Sequence, residues 1–100
     1  MTELEKFTEV GKEYKILESA FLDVQDTLIN YTDSGVVSVE EIAKLDKELL
    51  EKQDAADKMI LKVAKHFQFQ TDHVEYLFGV MNIDTQLYEE NFHDAIELRV

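Results

Sequence analysis

At 100 residues, with 45% hydrophobic and 32% charged side chains, the chain has room for one domain with a modest core. It contains no cysteine, which excludes disulfides, thiolate nucleophiles and cysteine-based zinc sites together. A net charge of −12, with Arg99 the only arginine against 22 carboxylates, opposes direct binding to nucleic acid or to an anionic membrane, because phosphate contacts need clustered cations.

The opening residues, MTELEKFTEVGKEYK, carry a charge every few positions and do not resemble a secretory leader. No run approaches the ~18–20 apolar residues of a membrane span. A cytoplasmic location is the expectation.

Without proline and with three glycines, the chain has little to break a long helix. Phe7, Val10, Tyr14, Leu17, Phe21, Val24, Leu28 and Tyr31 follow one another at alternating three- and four-residue spacing. That period is helical, and the alternation a strand needs is absent. A first helix is predicted from about Glu3 to Asn30.

The segment NYTDSGVVS supplies turn residues, and Ser38 with Glu41 has the spacing of a capping box. A second helix is predicted over 39–67. Its seam holds Ile42, Leu45, Leu49, Ala56, Met59 and Val63, interrupted by Lys52 and His66. Lys52 reads as a stem packed with its head in water, and His66 as a residue near a fraying end. At 1.5 Å per residue each long helix spans about 42 Å, so the molecule should be elongated.

The segment QFQTD breaks the second helix, and Asp72 with Glu75 suggests another capping box. A short helix follows around Val74, Leu77, Phe78 and Met81. Asn82 is a plausible stop, and Asp84 a plausible N-cap for a last helix carrying Leu87, Tyr88, Phe92, Ala95 and Ile96 on one side. With no linker or repeat, residues 1–100 form one domain. The expected fold is all-α: a long antiparallel helical hairpin plus two short C-terminal helices, a helical bundle that dimerisation could complete.

The apolar arcs are wider than a two-helix seam needs. Leu22 and Ile29 flank the first seam, and Leu50, Ile60 and Phe67 the second. The two short helices could cover one flank end to end. Alternatively, two hairpins could pack together with the short helices at the ends.

Chemistry is sparse. Asn30, Thr32, Ser34, Gly35, Val37 and Glu41 fit positions 1, 3, 5, 6, 8 and 12 of a calcium-loop template, but Glu41 is the only anion on it, and a turn plus a helix cap accounts for the same residues. Glu90 and His93 form an E-x-x-H pair that lacks the second copy a di-iron site requires. Ser19, Ser34 and Ser38 have no nucleophile elbow around them, and there is no glycine-rich phosphate loop. No enzyme activity, cofactor or metal is expected.

The expected function is that of a small acidic protein-binding module acting through helix faces, as an inhibitor, immunity- or antitoxin-like factor, adaptor or assembly factor. Its candidate surface is Leu22, Ile29, Leu50 and Phe67 with the acids Glu89, Glu90, Asp94 and Glu97. A protein partner and a homodimer are both expected. The alternative is an acidic mimic of nucleic acid that occupies the basic groove of another protein. It is motivated by eight acids against three lysines in residues 1–37 and seven against one arginine in residues 70–100.

Overall fold

Four helices are present in the computed structural model, which describes residues 1–99: α1 (Glu3–Asp33), α2 (Val39–Phe67), α3 (Thr71–Val80) and α4 (Thr85–Leu98). No strand occurs among the described residues.

A capping box opens α1. The Thr2 hydroxyl accepts from the Glu5 N–H at 3.1 Å, and the Glu5 carboxylate accepts from the Thr2 N–H at 3.4 Å. The helix runs past the expected end at Asn30 to Asp33, with the Thr32 hydroxyl donating to the Leu28 carbonyl. Gly35, at φ +81°, then turns the chain. The capping box expected at Ser38 and Glu41 is not formed. Ser38 has the extended backbone of an N-cap but accepts no hydrogen bond through its side chain. Instead its N–H donates to the Tyr31 hydroxyl at 2.8 Å, so the last ring of the α1 stripe ties down the turn.

α2 ends at Gln68, which adopts the left-handed conformation (φ 62°, ψ 38°). Both Gln68 and Phe69 donate their N–H to the Ala64 carbonyl. This C-terminal turn swings Phe69 back into the core. The box expected at Asp72 and Glu75 is also not formed: α3 starts two residues earlier, at Thr71, with Gln70 in place of Asp72 at the cap. Asp84 does cap α4, accepting from the Leu87 N–H at 3.1 Å.

The buried side chains gather at one end of the molecule. Phe7, fully buried, lies 4.9–6.3 Å from the rings of Phe67, Phe69, Phe78, Tyr88 and Phe92. Ile60, Val63, Ala64, Val74, Leu77, Met81 and Ala95 complete this head. The neighbouring Phe7–Phe67 pair is edge-on, a favoured arrangement of ring quadrupoles. Gly11 lets α3 come close, since a Cβ there would stand 2.7 Å from the Met81 sulfur.

Beyond Tyr14 and Met59 only α1 and α2 continue, packed on one another as an arm. Val24 is the one hydrophobic side chain buried there among the described residues. The molecule measures 53 × 24 × 21 Å with a radius of gyration of 16.8 Å, against ~13 Å for a compact domain of this length. The short helices therefore do not cover a flank end to end. Both stack on the head, because the α2–α3 turn sends the chain back across Phe7 rather than along the arm.

Candidate interaction surface

Which face of the arm is left open follows from helix geometry. Thr8, Lys15, Leu22 and Ile29 are seven residues apart and lie along one line of α1. At its head end that line is covered: the Thr8 hydroxyl meets the Tyr88 hydroxyl of α4 at 2.7 Å. On α2 the equivalent line is Ala43, Leu50, Asp57 and Ala64, and Ala64 is buried under the head. Leu22, Ile29 and Leu50 thus continue, along the arm, the same side that α3 and α4 cover at the head. There the cover stops, at Tyr14, whose ring stacks on Phe78 at 4.9 Å. Leu22, Ile29 and Leu50 are 45%, 51% and 64% exposed.

The open flank is a shallow groove between the two helices. Tyr14, Phe21, Leu22 and Ala56 supply its apolar surface, and Glu18, Gln53 and Asp57 its polar edge. The Tyr14 hydroxyl has its pKa raised, first by burial and then by the Glu18 carboxylate. Its rim carries acids, and Lys15, 3.5 Å from Glu18, neutralises part of that charge.

Of the residues expected on this surface, Phe67 is not there. It is buried in the head between Phe7 and Phe69, because α3 and α4 cover the end of α2 that carries it. The tip of the arm supplies apolar residues not anticipated from sequence: Val36 and Val39 are almost fully exposed and Val37 is partly so. Their signal was a valine-rich turn, where polar residues are usual.

Glu89, Glu90, Asp94 and Glu97 are all exposed on α4, far along the chain from the arm. Glu90 accepts from the Gln86 amide at 3.2 Å. His93 sits edge-on to Phe92 rather than meeting a second histidine. Among the described residues no three His, Cys, Asp or Glu side chains cluster as metal ligands. Asn30 and Thr32, the first two positions of the calcium-loop template, lie within α1, and the Ser34 hydroxyl donates to the Tyr31 carbonyl. Lys52 is half-buried in the seam and His66 is exposed.

Among the described residues no helix is long and apolar enough to cross a membrane. Comparisons with family models, with curated proteins and with solved structures returned no match.

Proposed function

We propose that this chain is a non-enzymatic protein-binding module whose working surface is the open flank of its helical hairpin. One observation carries the reading: the line of side chains that α3 and α4 cover at the head continues along the arm as Leu22, Ile29 and Leu50, exposed and apolar. Several exposed apolar side chains on one face, beside a polar edge, are the usual anatomy of a binding face. The edge here is acidic, through Glu18 and Asp57, which favours a partner that brings an apolar helix face bordered by Lys or Arg. Within that reading the chain acts by occupying its partner, as inhibitors, immunity factors, adaptors and assembly factors do.

The second reading, mimicry of nucleic acid, is favoured by α3 and α4. Asp72, Glu75, Glu89, Glu90, Asp94 and Glu97 are exposed there, and the only arginine is engaged with Glu3. α2, with its mixture of lysines and acids, speaks against it.

Affinity capture from the native host separates the two. The binding-module reading expects a protein retained by the wild type and lost with Leu22→Glu/Leu50→Glu. Mimicry expects retention by that variant and loss when Glu89, Glu90, Asp94 and Glu97 are replaced by their amides.

A further inference from the structure

The arm has a second flank, on the side opposite Leu22 and Leu50. Ala55 and Asp57 are two residues apart, so they point about 200° from one another around α2. Asp57 borders the groove with Leu22, while Ala55 lines another with Val10, Met59 and Val63, rimmed by Lys58 and Lys62 of α2 and by Glu13 of α1. Charge on this second flank is sorted along its length. From Ala55 toward the head come Lys58, which also pairs with Asp54 of its own helix at 2.8 Å, and Lys62, and toward the tip come Glu51 and Glu48. On α1, Ala20 lies between the head and Asp23, and the adjacent Ile16 is 70% exposed.

We infer that a second copy of this chain docks on this flank, antiparallel, about a two-fold axis at the level of Ala20 and Ala55. The spacing is self-complementary. Lys62 and Glu48 each stand seven residues from Ala55, so a two-fold rotation there brings Lys62 of one copy level with Glu48 of the other. Lys58, three residues headward, comes level with Glu51, four residues tipward, and with Asp23. Each contact occurs twice, as an isologous interface requires. Glu13, seven residues headward of Ala20, comes level with Glu48 of the other copy and meets like charge, while Lys44 comes level with His66.

At the axis Ala20 and Ala55 are small enough for close helix approach, and Ile16 and Met59 supply apolar surface beside them. The result is a four-helix arm with the two heads at opposite ends. The other flank suits a second copy less well, because a two-fold there gathers the acids Glu18 and Asp57 of both copies, offset only in part by Lys15. Charge therefore assigns one flank to self-association and leaves the other for the partner proposed above, and either assignment can fail without the other.

The test is solution mass of the full chain by sedimentation velocity, at ~50 mM and ~500 mM salt. The wild type is expected to dimerise, with Kd weakened on the order of tenfold or more at the higher salt. Lys58→Glu/Lys62→Glu and Glu48→Lys/Glu51→Lys are each expected to be monomeric while keeping wild-type helicity by circular dichroism. An equimolar mixture of the two is expected to recover a dimer, since each reversed charge on α2 of one copy then faces an opposite charge on α2 of the other. A monomeric wild type at ~100 μM and low salt overturns the inference. So does a dimer that survives both reversals, or a mixture that stays monomeric. A dimer lost with Leu22→Glu/Leu50→Glu but not with the charge reversals places the second copy on the other flank, and overturns it equally.

Discussion

The Arg99 guanidinium grips the Glu3 carboxylate through two parallel hydrogen bonds, Nη1 to Oε2 and Nη2 to Oε1, each 2.8 Å long. Nη1 also donates to the Phe67 carbonyl at 3.0 Å, so the only arginine joins the ends of α1, α2 and α4. It lies 5.9 Å from the centroid of the Phe69 ring as well.

Two replacements of Arg99 measure what the fork contributes. Arg99→Lys is expected to lower the thermal midpoint nearly as much as Arg99→Ala, because an ammonium cannot reproduce the bidentate geometry and the carbonyl bond together. Both effects should be small, since the pair is solvent-exposed. Equal stability of wild type and Arg99→Ala would show that the fork is ornamental to the fold.

The same pair sets an acid response. The hydrogen bond from Arg99 lowers the Glu3 pKa below its ordinary value, ahead of the opposing desolvation. A depressed carboxylate pKa contributes stability that is complete above the ordinary carboxylate range and fades as pH falls through the depressed value. Glu3→Gln should remove that contribution. The wild-type advantage over Glu3→Gln, measured by urea unfolding, should be present at neutral pH and shrink below the ordinary carboxylate range.

Phe7 is expected to be the most sensitive core position. It is fully buried among five rings, and Phe7→Ala should cost about 3–5 kcal/mol in chemical denaturation. The head would then be at or beyond the limit of stable folding for a domain of this size.

Gly11 tests the approach of α3 to α1. In the wild type, Gly11→Ala adds a Cβ 2.7 Å from the Met81 sulfur and 3.2 Å from a Phe78 ring carbon. The crowding cost of about 1–3 kcal/mol then outweighs or cancels the roughly 1 kcal/mol gained in helix propensity. With Met81→Ala only the Phe78 contact remains, and Gly11→Ala should turn from costly to neutral or stabilising. A double-mutant cycle reads the change.

Hydrogen exchange should divide the molecule where the cover ends. In the monomer at high salt, amides of the arm should exchange on the order of tenfold or more faster than those of Val74 and Leu77, because the arm is a two-helix layer with one hydrophobic side chain buried in it. Uniform protection from head to tip would mean the arm needs no covering surface.

Much of this architecture was legible in the sequence. The stripe from Phe7 to Tyr31 marks α1, because nothing but a helix brings those spacings to one side. Asp84 announces α4 because its side chain has a free N–H within reach. The capping patterns misled: Ser38-x-x-Glu41 and Asp72-x-x-Glu75 form no box, while Thr2-x-x-Glu5, with the same spacing, does. Spacing allows such a box but does not fix it, and at Ser38 the hydroxyl of Tyr31 supplies a different tie. Phe69 reads as part of a breaker and Phe67 as part of a flank. Both are core, because the left-handed turn at Gln68 is a tertiary choice that a glutamine does not advertise. Leu22, Ile29 and Leu50 could be singled out as surplus to the seam. That α3 and α4 stop short of them depends on the head packing, which periodicity does not record.

In-cell photocrosslinking tests the flank of Leu22, Ile29 and Leu50 as the working surface most directly. A photoreactive side chain placed at Leu50 is expected to capture one host protein, and the same group at Glu90 on α4 to capture none. Capture from Glu90 with silence at Leu50 would contradict the account and move the working surface to the acidic helices.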